Sequence, residues 1–217
     1  MRPFMHAPDG AASRCILSTG TKPNRMIRVL NSRPLLWVLL ALPGIWLLSR
    51  WATGGATYGE VVSDSGVWAT QLLILTLAIT PVRLMFRRGA WVSWLMRRRR
   101  DFGVATFAYA VTHTGIYLFR KSDLQLILAE SAEAWLLVGW IALAVFLPLA
   151  LTSNDASMRL LRHAWKRLHR LVYVAAILVF VHWVLSAFDP FVAYIHICVL
   201  ASLELVRIAL QLRHRVM

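Results

Sequence analysis

The chain predicts an all-α membrane protein, a bundle of six transmembrane helices with both termini cytoplasmic. Three observations carry that expectation. Apolar residues make up 59% of the 217 residues and the mean hydropathy is +0.60, well above the roughly 45–50% apolar content of soluble domains. The apolar residues fall into six separate runs, each long enough to cross a bilayer. Lys and Arg are confined almost wholly to alternate connections between those runs.

A hydrocarbon layer about 30 Å thick needs roughly 17–25 apolar residues of helix. The runs that meet this are Leu35 to Trp51, Val67 to Phe86, Phe102 to Phe119, Ala134 to Thr152, Leu168 to Phe188 and Phe191 to Val206. They are read as helices because lipid offers no hydrogen bonds to the backbone, and a helix pairs its own N–H and C=O groups locally. Pro43, Pro81, Pro148 and Pro190 lie within or beside spans, where membrane helices accept proline as a kink or terminus. Trp51, Trp91, Trp94, Trp135 and Trp165 stand near span ends, the usual place of interfacial anchors.

The formal net charge of +14 raises the question of a nucleic-acid binder, and the placement of the charges answers it. Basic residues flank apolar runs and are not spread over a polar domain, so no nucleic-acid partner is expected and the lipid bilayer is. One side of the membrane receives Arg2, Arg14, Lys22, Arg25, Arg28, Arg33, Arg83, Arg87, Arg88, the Arg97 to Arg100 run, the loop from Arg159 to Arg170, and Arg207, Arg213 and Arg215. The other receives Arg50, Arg120 and Lys121 with Glu60, Asp64, Asp123, Glu130, Glu133 and Asp189. The positive-inside rule makes the first side cytoplasmic. Arg97 to Arg100 is foremost a topology determinant; docking of an acidic cytosolic partner or anionic lipid is the alternative.

Residues 1–33 are expected to be a disordered cytoplasmic tail without an apolar stretch of signal-peptide length, and Met26 would serve equally well as a start. Residues 34–212 form the membrane domain and 213–217 a short cytoplasmic tail. Cys15 and Cys198 are too few for a disulfide framework or zinc site, and Cys198 is read as packing. No repeat of solenoid length appears, and no Gly-rich turn after a strand marks a dinucleotide fold.

Chemistry rests with the histidines. His6 and His214 lie in the tails, His163 in a basic loop, and His196 near the outer face, where packing or hydrogen bonding is the expected role. His113 and His182 lie within spans, where an ionisable group is costly and therefore a functional candidate. At about 1.5 Å rise per residue, His113 lies about 18 Å from Asp101 and His182 about 20 Å from His169. The two spans start on the same side, so these histidines reach nearly the same depth on parallel helices. Such a pair suits two neutral imidazoles on opposite sides of one haem iron or a direct interhelical hydrogen bond. Spacing alone does not separate the two. His169 sits at the cytoplasmic end of the His182 helix; on one ideal helix the two rings would point about 140° apart.

The stretches Leu147-Pro-Leu-Ala-Leu-Thr-Ser153, Trp165-Lys-Arg-Leu-His-Arg-Leu-Val-Tyr173 and His182-Trp183, with Asp101-Phe-Gly through His113-Thr-Gly, resemble the haem-binding membrane subunit of the periplasmic methionine sulfoxide reductase system. The wider group is the ferric-reductase-like transmembrane domain shared with NADPH oxidases, and the resemblance covers roughly residues 30 to 212. It implies a multi-pass protein of the bacterial inner membrane holding haem b between His113 and His182, with His169 a further family histidine. It also implies FMN, a cytosolic flavin reductase or the quinone pool as electron donor, and a periplasmic molybdopterin enzyme as acceptor. The oxidases carry a second histidine upstream of the position matching His113, where this chain has Arg99 and Arg100. A second haem, on His169, would thus need an unusual opposite ligand; His169 would otherwise contact a propionate, quinone or flavin. Trp183 and Tyr173 are packing residues or haem neighbours, and Thr112 and Thr114 are expected to bond their own helix backbone. The competing readings are a stand-alone ferric or quinone reductase and a non-redox scaffold whose histidines only hydrogen-bond.

Overall fold

In the computed structural model, residues 32–86, 89–121 and 123–216 are described. The expected tail up to residue 31, with His6, Cys15 and Met26, lies outside the described residues, as does the side chain of His214. The chain divides into two units, residues 1–36 and 37–217, and the bundle below belongs to the second.

Among the described residues all regular secondary structure is α-helix. The helices are α1 (Arg33–Ala52), α2 (Tyr58–Met85), α3 (Ala90–Lys121), α4 (Leu124–Glu130), α5 (Ala134–Leu151), α6 (Asp155–Leu161), α7 (His163–His169), α8 (Leu171–Ser186) and α9 (Phe191–Val216). Six stretches are long and apolar enough to cross a membrane: α1, α2, α3, α5, α7 with α8, and α9. Each expected span falls on one of them.

Two helices outrun their apolar cores. α2 starts at a capping box, in which the Thr57 hydroxyl accepts from the Glu60 N–H and the Glu60 carboxylate accepts from the Thr57 N–H. That Thr-x-x-Glu pattern is a start signal in its own right. α3 begins at Ala90, so Arg97 to Arg100 are helical and not a loop. They are held there by contacts: Arg99 Nε donates to the Thr76 carbonyl at 3.2 Å, and Arg98 and Arg100 pair with Asp101 and Asp155.

Packing proceeds by antiparallel pairs. α2 lies along α3 and α5 along α8, while α9 packs on α2 and α3 touches α5. The core between the pairs is built from Leu73, Leu77, Phe146, Leu149, Ala175 and Ala176. The two alanines let α8 approach closely, as small residues do in membrane bundles. α1 is pinned through Tyr109, whose hydroxyl donates to the Leu40 carbonyl and accepts from the Gly44 N–H, both at 2.8 Å. Pro43 sits within that turn. A lipid-facing girdle of exposed apolar residues, among them Val38, Leu42, Ile177, Val181, Ile195 and Val199, surrounds the bundle. Cys198 lies exposed on the outward face of α9 and so does not pack in the interior as expected. Thr112 and Thr114 bond the carbonyls one turn back, at Ala108 and Ala110.

Candidate functional site

His113 on α3 and His182 on α8 face each other across the interior, with ring centroids 6.2 Å apart and planes at 83°. The depth reasoning from sequence therefore placed both side chains on a common site. Neither ring bonds the other. His113 Nδ1 lies 2.9 Å from the Val62 carbonyl on α2, and His182 Nδ1 lies 2.6 Å from the Trp135 carbonyl on α5. A carbonyl can only accept, so in both rings Nδ1 carries the hydrogen and Nε2 keeps its lone pair. This is the state in which an imidazole binds a metal, its far nitrogen oriented by a backbone acceptor.

The spacing fits an iron between the rings. Metal–imidazole bonds of about 2.0 Å, with each ring centre about 1.1 Å behind its nitrogen, put two axial ring centres about 6 Å apart. A direct hydrogen bond between the rings would have brought them closer and consumed one Nε2. Both rings open into a cavity of about 710 Å³, within the range of about 300–1,000 Å³ typical of cofactor sites. Its walls are apolar in the middle, with Leu73, Ala142, Leu143, Phe146 and Val179. Trp140 also lines it, and its buried indole N–H has no hydrogen-bond partner among the described residues. Trp135 stacks beside His182 at 6.3 Å. These residues fit a porphyrin held by two histidines.

One mouth of this cavity is polar. Tyr58, Lys121, Glu130 and Glu133 line it; Tyr117 donates to Glu130 at 2.9 Å, and Lys121 pairs with the same carboxylate. Donation from Lys121, then from Tyr117, holds the Glu130 carboxyl below its ordinary 4.5. Sequence reasoning placed Lys121 and Glu130 only as loop charges, since their meeting depends on how α4 folds back over α3.

His169 does not join the pair. It closes α7 and lines a separate cavity of about 280 Å³ with Arg99, Arg100, Lys166, Arg170 and Arg207. Thr152 donates its hydroxyl hydrogen to the Pro148 carbonyl at 2.6 Å, so at 3.0 Å its oxygen accepts from His169 Nε2. Trp165 stacks on the ring at 4.0 Å and 24°, and its N–H donates to the Thr152 carbonyl at 2.9 Å. Tyr173, a candidate haem neighbour from sequence, instead bonds Arg207, which also pairs with Glu204. Trp183 lines the larger cavity and leans on His196 at 5.1 Å.

Residues 65–181, a stretch that includes His113 and most of the cavity wall and ends one residue before His182, match the family described as ferric reductase like transmembrane component. The chain belongs to the ferric-reductase-like transmembrane family. Two curated relatives extend the match. A Rhizobium meliloti protein called protein-methionine-sulfoxide reductase heme-binding subunit MsrQ is 40% identical over 157 residues, 70% of each chain. A Brucella ovis protein of the same name is 34% identical over 202 residues, 88% of this chain and 89% of that one. With its six apolar helices, this member of the ferric-reductase-like family is a multi-pass protein of the inner membrane.

Proposed function

We propose that this protein is a haem b electron-transfer subunit. It carries electrons from the cytoplasmic side of the inner membrane to a periplasmic molybdopterin enzyme that reduces methionine sulfoxide in oxidised proteins. The observation that carries the reading is the facing pair of imidazoles, His113 and His182, 6.2 Å apart with Nδ1 bound to backbone and Nε2 turned to a cofactor-sized cavity. The names of the Rhizobium and Brucella relatives support the reading of haem and of the sulfoxide reductase system.

Haem b, when bound, supplies a one-electron carrier with its potential set by the axial ligands and their surroundings. His113 and His182 would hold it. The Val62 and Trp135 carbonyls fix both tautomers and raise the basicity of the ligating nitrogens. The apolar wall around Phe146 and Val179 excludes water. Reduction of one sulfoxide to a thioether and water takes two electrons and two protons, so the chain delivers single electrons twice per turnover. No substrate bond breaks within it.

The cytoplasmic end suits an anionic electron donor. Arg99, Arg100, Lys166 and Arg170 beside His169 favour a group such as the FMN phosphate, supplied by or shared with a cytosolic flavin reductase, or a quinol hydrogen-bonding to His169. A second haem on His169 has less support, because Nε2 is engaged by Thr152 and the cavity is under half the volume of the other. Both termini are cytoplasmic in this reading, by the distribution of Lys and Arg.

The test is reduction of the purified protein by a quinol and, separately, by NADH with a flavin reductase, followed at the haem absorbance, then re-oxidation by a periplasmic molybdopterin enzyme with methionine sulfoxide. Reduction by at least one donor and re-oxidation only with the enzyme and sulfoxide present is expected. Sustained reduction of ferric chelates without that enzyme would point instead to a stand-alone reductase, and absence of haem to a scaffold.

A further inference from the structure

The two ligand histidines are seated by the same device, built twice. His113 leans on the carbonyl of Val62, and the residue one helical turn further along α2 is Gly66; His182 leans on the carbonyl of Trp135, and one turn further along α5 is Gly139. In a helix the Cα–Cβ bond of residue i+4 tilts toward the N-terminus, over the carbonyl of residue i. A side chain there shields that oxygen from a neighbouring helix. Glycine leaves it open, and both imidazoles come in through the opening.

The clearance is measurable at each site. A Cβ at Gly66 would stand 3.2 Å from His113 Nδ1 and 3.3 Å from Cε1. At Gly139 it would stand 2.9 Å from His182 Nδ1 and 3.0 Å from Cε1. A methyl group is free at Gly115, two residues from His113 on the same helix, which has nothing within 4 Å, and at Gly103, which meets only Thr76 at 3.8 Å, whereas at Gly44 it would stand 3.2 Å from the Tyr109 hydroxyl that bonds the Leu40 carbonyl one turn back. We infer that Gly66 and Gly139 are positioning residues for the axial ligands, each holding open the carbonyl that orients its histidine. The inference rests on the haem assignment and adds the statement that ligand geometry is set from the facing helix of each pair.

Alanine at these positions asks the ring to move while backbone and iron both hold it. Gly139→Ala brings contacts at or below the shortest that real Cβ atoms show, so the His182 ring must leave its carbonyl, its iron or both. Gly66→Ala needs a shift of only a few tenths of an ångström, and its effect is smaller and of the same kind. In a helix, Gly→Ala otherwise favours the fold, so lost helix content is not the expected route.

The experiment compares full-length, haem-loaded wild type with Gly139→Ala, Gly66→Ala, Gly115→Ala and Gly103→Ala. Each is read by visible and electron paramagnetic resonance spectra for spin state, by carbon monoxide binding, by haem retention, and by circular dichroism for helix content. Gly139→Ala should lose most of the six-coordinate low-spin signature, bind carbon monoxide and hold haem about 10- to 100-fold more weakly, the usual cost of removing a group that orients a metal ligand. Gly66→Ala should shift the same way by less, and Gly115→Ala and Gly103→Ala should match wild type, all with unchanged helix content. If Gly139→Ala does not accumulate, Gly66→Ala decides alone. Low-spin spectra equal to wild type in the Gly66 and Gly139 variants would overturn the inference and leave the haem assignment standing. A wild type without bis-histidine haem would overturn both.

Discussion

Tyr109 illustrates how much one side chain can do for the scaffold without touching the site. Its hydroxyl is inserted between the Leu40 carbonyl and the Gly44 N–H, tying α1 to α3. Tyr109→Phe should cost about 1–2 kcal/mol, the worth of such bonds when buried, and lower the melting temperature in detergent while the haem spectrum stays unchanged. Glu130 is the counterpart at the polar mouth of the larger cavity. Lys121 and Tyr117 hold its carboxyl below 4.5, so its folded pKa lies below its unfolded one. Its contribution is present above the ordinary carboxylate range and is lost as pH falls through the lowered folded value. Hydrogen exchange of α4 should quicken as pH drops below about 4.5, and Glu130→Gln should abolish that step. At this scale His113 and His182 were legible in the sequence, because an ionisable ring in lipid needs a reason. Gly66, Gly139 and the two acceptor carbonyls were not, since a glycine among several in apolar helices carries no mark of the ring that a neighbouring helix lays against it.

The elements divide the labour by membrane depth. α3 and α8 run parallel and bring His113 and His182 together, while their antiparallel partners α2 and α5 supply the acceptor carbonyls. The apolar runs located all six spans, because lipid leaves a long apolar segment no other fold. Their ends were less legible. α2 and α3 continue past their apolar cores on a capping box and on paired arginines, which hydropathy does not weigh. His169 and His182 line different cavities, in keeping with the ideal-helix expectation that they do not share a face, and the helix is interrupted between them at Arg170, between α7 and α8. That break leaves His169 with Thr152 and Trp165 at the arginine-rich end of the bundle. His169→Ala should therefore leave the bis-histidine spectrum intact but slow reduction by a cytoplasmic donor; unchanged reduction kinetics would remove His169 from the electron path.

Over the whole molecule, charge and chemistry share an axis. The strongly basic side holds the smaller cavity, and the mixed, acidic side holds the mouth of the larger one. The positive-inside reading requires a C-terminal reporter active only in the cytoplasm to function and a periplasm-dependent one to stay silent; the reverse would invert the direction of electron flow. Apart from direction and partner, the proposed carrier comes down to one haem held by two histidines on two helices. It is tested most directly by visible spectra of purified wild type beside His113→Ala and His182→Ala. Wild type should show a six-coordinate, low-spin bis-histidine haem, and each single variant should lose it. An unchanged bis-histidine spectrum in both variants would contradict it.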